Sequence, residues 1–278
     1  MNPQLNANPL TQYFRRPALY LKLPSGGNGY PAGTINMPEN GELPVYPMTA
    51  IDDITTRTPD ALFNGTAIVE LIKSCIPAIT DPWYVASNDL DPILVAIRAA
   101  SHGNLMEIET ECPSCNEEAK YDVNLAGILA GYHPGDYDKP LVIGDLTIKF
   151  KPLPYKEFNV INMAQFEVQR GLFELEKTED PETKGKKSAE LLKKINNVAL
   201  NLIATTIEYI RTPQATVLDP KFILEFLRNT DKETYDKIKD VNLDLRKTAE
   251  TKPLEIKCIH CQHEYKQPFT INVTDFFA

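Results

Sequence analysis

The sequence has no long apolar run and no concentration of basic residues. No stretch of its 278 residues approaches the roughly 20 apolar residues that a membrane-spanning helix needs. The net charge is −9, which argues against nucleic-acid binding, because proteins that bind phosphates cluster lysine and arginine on one face. The first residues lack the charged and apolar regions of a signal peptide. These absences predict a cytoplasmic protein that has neither a membrane nor a nucleic acid as a partner.

The sequence also lacks a recognisable active site. The glycine-rich stretch 26–29 does not end in the Gly-Lys-Ser/Thr of a phosphate loop, and there is no Gly-x-Ser-x-Gly elbow. Ser101 and His102 are adjacent on a predicted helix, so they do not face each other. The glutamates in residues 106–111 alternate with other residues, which is typical of a solvated strand face. We therefore expect no catalytic residues and no small-molecule substrate.

Cysteine is scarce, but most of it follows one pattern. Four of the five cysteines form two Cys-x-x-Cys pairs, Cys112 with Cys115 and Cys258 with Cys261. The fifth, Cys75, lies in an apolar run and is interpreted as a core residue. Four thiolates form the ligand set of a closed structural Zn²⁺ site. The sequence therefore predicts one Zn²⁺ ion bound by the two pairs together.

Strand-like stretches flank both cysteine pairs. They are residues 106–111 and 120–125 around the first pair, and 254–257 and 267–273 around the second. A strand, a Cys-x-x-Cys turn and another strand make half of a zinc ribbon. An offset of 146 aligns the two halves, so the sequence contains a short, degenerate repeat. The 142 residues between Cys115 and Cys258 far exceed the roughly 15–20 of a compact ribbon, and a shared ion would join distant parts of the chain.

Two other readings of the cysteine pairs stay open at this point. Each pair could form a disulfide, although cytoplasmic thiols are kept reduced and the βαβ setting of a thioredoxin-like site is missing. Each pair could also bind its own metal, with His260 or His263 completing the second site. The first pair has only the more distant His102 and His133 to offer.

The periodicity predicts an α+β fold built from four segments. Residues 1–48 form an extended arm rich in proline and glycine, and residues 49–154 form an α+β segment with the first cysteine pair and a hairpin at 141–150. Residues 155–246 form a helical insertion, and residues 247–278 carry the second cysteine pair and the closing strands. The predicted helices are 66–76, 90–102, 155–174, 188–210, 219–228 and 232–245, with another helix starting at Thr58-Pro59-Asp60.

Several motifs, taken in their order, resemble those of a known family. They are Leu23-Pro-Ser-Gly-Gly-Asn-Gly-Tyr30, Gly41-Glu-Leu-Pro-Val-Tyr-Pro-Met-Thr-Ala50, Asn64-Gly65 before a helix, Asp89-Leu90 leading to Ala96-Ile-Arg98-Ala-Ala-Ser101-His-Gly103, and Cys112-x-x-Cys115. This order is similar to that of the baseplate hub assembly proteins of T4-like contractile-tail bacteriophages, mainly over residues 20–125 and the C-terminus. The resemblance implies a non-enzymatic role in assembling the tail baseplate inside an infected bacterium, among other tail proteins.

The expected partner contacts lie in the arm and on one helix. A segment with this much proline and glycine cannot bury enough apolar surface alone, so residues 1–22 are expected to become ordered against neighbouring subunits through Tyr13, Phe14 and Tyr20. Arg98 interrupts an apolar helix and is expected to reach either a neighbouring subunit or an internal partner, Asp89 or Asp91. The alternative function is a cytoplasmic zinc-ribbon regulator or nucleic-acid-associated factor.

Overall fold

The computed structural model describes residues 8–58, 64–177, 180–249, 251–271 and 276–277, and these residues form the predicted mixed α+β fold. The strands are β1 (Leu19–Leu21), β2 (Leu43–Val45), β3 (Leu105–Glu111), β4 (Glu118–Asn124), β5 (Leu141–Ile143), β6 (Leu146–Phe150), β7 (Ile207–Arg211), β8 (Thr216–Val217), β9 (Leu254–Lys257) and β10 (Glu264–Gln267). The helices are α1 (Ala50–Thr56), α2 (Thr66–Cys75), α3 (Ser87–His102), α4 (Leu125–Ala130), α5 (Tyr155–Glu176), α6 (Pro181–Thr206), α7 (Pro220–Asn229) and α8 (Lys232–Ala249).

A first hydrophobic core forms around α2 and α3. Both helices are apolar on most sides and bury residues such as Ile72 and Ile97 completely, as expected of helices inside a domain. The antiparallel pair of β1 and β2 packs against this core, and so do Phe276 and Phe277 from the end of the chain. The first core thus joins the N-terminal segment to the C-terminus.

A second core lies between a four-stranded antiparallel sheet and the helices that follow it. The strand order is β5-β6-β7-β8, and the fully buried Ile148 and Phe150 of β6 face helices α6, α7 and α8. Helix α7 is strongly amphipathic, with Ile223 and Leu227 buried four residues apart. The hairpin at 141–150 therefore shares a core with residues of the predicted helical insertion.

Three predicted elements need correction or comment. Residues 207–210, predicted as the end of a helix, form β7 and pair with β6, because Ile207 and Ile210 are buried in the sheet and β-branched side chains suit it. Of the strand predicted at 267–273, residues 268–271 are not in a strand and residues 272 and 273 lie outside the described residues; the strand that pairs with β9 is Glu264–Gln267. The helix predicted to start at Thr58-Pro59-Asp60 lies largely outside the described residues.

The N-terminal arm is part of the fold from Arg15 onward, which corrects the expectation that residues 1–22 as a whole need a partner to become ordered. Arg15 donates hydrogen bonds to the carbonyl oxygen of Pro47 and, at 2.8 Å, to that of Ser74. Leu21 of β1 is buried in the first core. The composition did not reveal these contacts, because each joins residues far apart in the sequence.

Candidate metal centre

Two β-hairpins carry the cysteine pairs and have the same local structure. Strands β3 and β4 pair from Leu105 opposite Asn124 to Glu111 opposite Glu118, and β9 pairs with β10 up to Lys257 opposite Glu264. The residue pair nearest the turn is Glu111 with Glu118 in the first hairpin and Lys257 with Glu264 in the second. Each residue of the second pair lies 146 positions after its counterpart in the first, which is the same offset as between the cysteines. The repeat detected in the sequence is therefore a repeated hairpin.

The turn of each hairpin is closed by equivalent backbone hydrogen bonds. In the first, Cys112 N donates to Glu117 O at 3.0 Å and Asn116 N donates to Cys112 O at 2.9 Å. In the second, Cys258 N donates to His263 O at 2.8 Å and Gln262 N to Cys258 O at 2.9 Å.

One residue of each turn adopts the left-handed conformation. These residues are Asn116, with φ of 57°, and Gln262, with φ of 62°. Their conformation turns the chain back sharply after the second cysteine and leads it into the second strand of the hairpin.

The turns bring all four cysteine sulfurs together. The Sγ atoms of Cys112, Cys115, Cys258 and Cys261 lie within 4.8 Å of one another. The distance is 3.6 Å from Cys112 to Cys261 and 3.7 Å from Cys115 to Cys258. Sulfurs around a tetrahedral Zn²⁺ at about 2.3 Å are separated by about 3.8 Å, and a disulfide bond measures about 2.05 Å. The distances between sulfur atoms of the two hairpins therefore fit a metal ion that both hairpins bind.

The sulfurs differ in how well their surroundings stabilise a thiolate. The backbone N–H groups of Ser114 and Cys261 point at Cys112 Sγ and Cys258 Sγ, each at 3.5 Å. The N–H of Cys261, together with that of His260, lowers the pKa of Cys258 to about 6. The N–H of Glu117 acts in the same direction on Cys115, but burial and the neighbouring sulfurs outweigh it and raise the pKa of Cys115 to about 12. Four thiolates at this spacing need a positive ion between them.

The two hairpins also contact each other beside the sulfurs. Thr110 of β3 donates a hydrogen bond from Oγ1 to Gln267 Oε1 of β10 at 3.2 Å. The ring of His263 stacks on that of Tyr265, with a centroid distance of 6.4 Å. His263 therefore has a packing partner, and the candidate donor set is the four cysteines. Cys112 and Cys258 are buried, whereas Cys261 is exposed.

The three aromatic residues predicted to contact partners lie on the surface. Tyr13, Phe14 and Tyr20 are each at least 60% exposed. Tyr13 ends a short 3₁₀ turn, and Tyr20 lies on the outer face of β1. Their exposure leaves them accessible to another protein.

Arg98 has an internal partner that the sequence did not indicate. Its Nε donates a hydrogen bond to the carbonyl oxygen of Phe276 at 2.8 Å. Asp89, one of the two internal partners considered from the sequence, instead accepts hydrogen bonds from Ser25 and Tyr30. Burial lowers the pKa of Arg98.

A polar junction under α1 was not anticipated from the sequence. The Asp52 carboxylate accepts hydrogen bonds from Thr49 N at 2.7 Å and from Ser74 Oγ at 2.9 Å, and Arg15 lies 3.5 Å from it. The capping-box spacing of Thr49 and Asp52 was the available signal. The contribution of Arg15, 37 residues from Asp52, has no local signature.

Comparison with known proteins identifies one family. The family model described as T4 bacteriophage base plate protein matches residues 22–278, nearly the whole chain. No curated protein and no solved structure gives a significant match. Within the described part of the chain, no helix is both long and apolar enough to cross a membrane.

Proposed function

Because this chain belongs to the T4 bacteriophage base plate protein family, we propose that it is a structural or assembly component of the hub region of a contractile phage tail baseplate. In this role it carries out no catalysis. The observation that supports the proposal most strongly is the family match over residues 22–278, which includes both cysteine hairpins. The motif order between residues 20 and 125 supports the hub assignment in particular.

The proposed cofactor is one structural Zn²⁺ ion bound by Cys112, Cys115, Cys258 and Cys261. Four sulfurs within 4.8 Å of one another match the donor set of a closed tetrahedral site, which leaves no position for a substrate or a reactive water. A zinc hydrolase needs such an open position. The cluster therefore supports a structural role for the metal rather than a catalytic one.

The metal would stabilise the protein by joining the two ends of a long segment. The 142 residues between Cys115 and Cys258 include the second core, and the metal would add to the hydrogen bond from Thr110 to Gln267 that already joins the two hairpins. Closing so long a loop lowers the entropy of the unfolded chain, and the binding free energy of a structural metal adds directly to folding.

The proposed partners are other proteins of the phage tail, in a hetero-oligomeric assembly. Tyr13, Phe14 and Tyr20 are exposed aromatic side chains on the arm, and such side chains bury a large area at low entropic cost when a partner covers them. The protein would assemble in the host cytoplasm and be located in the tail of the virion. Neither a membrane nor a nucleic acid is among the proposed partners.

The proposal is tested by following the tagged protein through phage assembly. Baseplate intermediates and finished particles are purified from infected cells and analysed by mass spectrometry, and zinc is measured per chain. We expect the protein in baseplate intermediates with one zinc ion per chain. If it is found only outside these assemblies, or if it binds DNA with an affinity that falls steeply with salt, the zinc-ribbon regulator becomes the better assignment.

Deleting residues 1–14 tests the arm separately. This deletion removes Tyr13 and Phe14 but leaves Arg15, which donates hydrogen bonds to Pro47 and Ser74, and β1, which packs on the first core. We expect the truncated protein to fold and bind zinc normally but to enter intermediates poorly. Normal entry would show that these two aromatic residues are not needed for assembly.

A further inference from the structure

A cavity of about 260 Å³ lies between the first and second hydrophobic cores. Its lining includes Leu90, Tyr132 and Phe158, which pack in or against the first core, and Tyr137, which packs against the second. Helices α3, α5, α6 and α8 all contribute side chains to it. A molecule bound in this cavity would therefore contact both cores at once.

Four side-chain amides line the cavity, those of Asn88, Asn162, Gln165 and Asn242. Asn88 and Asn242 are buried, with 8% and 5% of their surface exposed, whereas Asn162 and Gln165 are exposed. A side-chain amide offers both a hydrogen-bond donor and an acceptor, as a peptide group does. This lining is therefore suited to hydrogen bonds with the backbone of another chain.

The buried amide of Asn88 is the observation that indicates a ligand. No described residue donates a hydrogen bond to its Oδ1 atom, which is shielded from solvent. Asn242, by contrast, donates from Nδ2 to Thr206 Oγ1. Buried polar atoms nearly always have a hydrogen-bond partner, and one without a partner destabilises the fold. A bound molecule with an N–H or O–H group would supply the donor that Asn88 lacks.

The size and charge of the cavity limit what it can bind. Its volume lies just below the roughly 300–1,000 Å³ of ordinary small-molecule sites, which suits one large side chain with the peptide groups beside it. Among the lining residues, the acidic Asp91 and the basic Arg246 offset each other, whereas sites for phosphates or carboxylates have an excess of basic groups. Leu90, Leu153 and Ile161 are buried in the lining. A neutral, apolar group therefore fits best.

We propose that this cavity binds one large apolar side chain, together with the peptide groups on either side of it, from another protein of the baseplate. This inference rests on the proposed function and extends it by naming a contact separate from the arm. The apolar side chain is buried against Leu90, Leu153 and Ile161, and a peptide N–H group donates a hydrogen bond to Asn88 Oδ1.

The first test uses the purified, full-length protein and N-acetyl-phenylalanine amide, a neutral probe with one apolar side chain between two peptide groups. N-acetyl-phenylalanine, which has a carboxylate in place of the amide, is the matched control probe. At millimolar concentrations, we expect the neutral probe to shift the NMR signal of the Asn242 side chain and the charged probe to shift it much less. No shift, or equal shifts with the two probes, would overturn the inference.

Asn88→Leu tests the role of the buried acceptor, because leucine has a similar size but no polar atom. We expect this variant to lose most of the shift at Asn242. We also expect it to be at least as stable in urea as the unchanged protein, since it removes a buried acceptor that lacks a donor. A clear loss of stability would show that the fold itself needs Asn88, and it would contradict the inference.

A second test follows entry into baseplate intermediates. Gln165→Trp is compared with Gln169→Trp, since both glutamines are exposed on α5 and Gln165 is the one that lines the cavity. Each full-length protein is expressed during infection with phage that lacks the native copy. We expect Gln165→Trp, whose ring obstructs the cavity, to enter intermediates about tenfold less than the unchanged protein and Gln169→Trp to enter normally.

A photo-crosslinking amino acid in place of Gln165 identifies what occupies the cavity. We expect cross-links, within the intermediates, to a single segment of another baseplate protein that contains a large apolar residue. Cross-links within this same chain or to a second copy of it, or normal entry of Gln165→Trp, would overturn the inference and leave the proposed function standing. Absence of the unchanged protein from all intermediates would overturn both.

Discussion

Arg98 and Phe276 are joined by a hydrogen bond of 2.8 Å from Nε to the backbone carbonyl oxygen, across 178 residues of sequence. Arg98 lies on α3, just before the first cysteine hairpin, and Phe276 lies after the second. The rings of Phe276 and Phe277 pack edge to face, with centroids 5.2 Å apart, and both residues are buried in the first core. The C-terminus is therefore held to α3 by a charged hydrogen bond and by two aromatic rings.

We expect Arg98→Ala to destabilise the protein by about 1–3 kcal/mol, because the substitution removes a hydrogen bond from a charged donor. The buried carbonyl oxygen of Phe276 then loses this donor. Chemical denaturation measures the change in the free energy of unfolding. Arg170→Ala is the control, since Arg170 is exposed and its ion pair with Glu174 spans 3.8 Å; we expect it to change stability by less than about 0.5 kcal/mol. Equal effects of the two substitutions would contradict a structural role for Arg98.

The four-cysteine cluster predicts one zinc ion per chain and a strong dependence of stability on it. We expect Cys258→Ser to abolish stoichiometric zinc binding and to lower the free energy of unfolding by about 3 kcal/mol or more, or roughly 10 °C in Tm. Metal analysis and thermal unfolding measure the two effects. Cys75→Ala is the control, because Cys75 lies in the first core and we expect this variant to keep its zinc. Unchanged melting of Cys258→Ser, with zinc present in the parent protein, would rule out a structural role for the metal.

The cysteine hairpins show which features a sequence predicts well. Alternating residues around each Cys-x-x-Cys pair predicted strands there, and the structure forms β3, β4 and β9 close to the predicted stretches. These patterns are local, since a strand's period of two and a tight turn leave their mark within a few residues. The mixed α+β class was predicted for the same reason and is confirmed.

Features that depend on distant residues were not predicted. Residues 207–210 continue an apolar pattern compatible with a helix, and they form a strand because β6 offers them a sheet edge. Likewise, Arg15 gives no local sign that it binds Pro47 and Ser74. Tertiary contacts of this kind override local preference.

Gly65 occupies a position that only glycine tolerates. It precedes α2 in the left-handed region with φ of 80°, and a Cβ atom there would lie 2.9 Å from the side chain of Asn159, which itself donates a hydrogen bond to Asn64 O at 2.8 Å. We therefore expect Gly65→Ala to lower the free energy of unfolding by at least about 1–2 kcal/mol.

Gly185 is the matched control for this substitution. It lies within α6, where an added Cβ meets no atom within 4 Å. Alanine has the higher helix propensity, so we expect Gly185→Ala to stabilise the protein by up to about 1 kcal/mol. Denaturant unfolding of both variants measures the two effects, and a stabilising Gly65→Ala would show that this turn tolerates a side chain.

Asp89 makes stability depend on pH through its burial at the start of α3. Its carboxylate accepts hydrogen bonds from Ser25 N at 3.0 Å and from the Tyr30 hydroxyl at 2.8 Å. Burial nevertheless raises the pKa of Asp89 above its ordinary value, with these hydrogen bonds opposing the shift. The folded protein therefore holds the proton more tightly than the unfolded chain. The resulting stabilisation is fully present below the unfolded pKa of about 3.9 and is lost as the pH rises through the folded pKa.

Asp89→Asn tests this dependence, because the amide resembles the protonated carboxyl in shape and charge. We expect the stability of the unchanged protein relative to Asp89→Asn to fall as the pH rises from about 4 and to level off above the folded pKa. Urea unfolding of both proteins over this pH range measures the difference between their free energies of unfolding. Both proteins have the same metal site, so its contribution cancels in this difference. A difference that instead grows in favour of the carboxylate as the pH rises would mean that the hydrogen bonds from Ser25 and Tyr30 outweigh burial, and that the pKa of Asp89 is lowered.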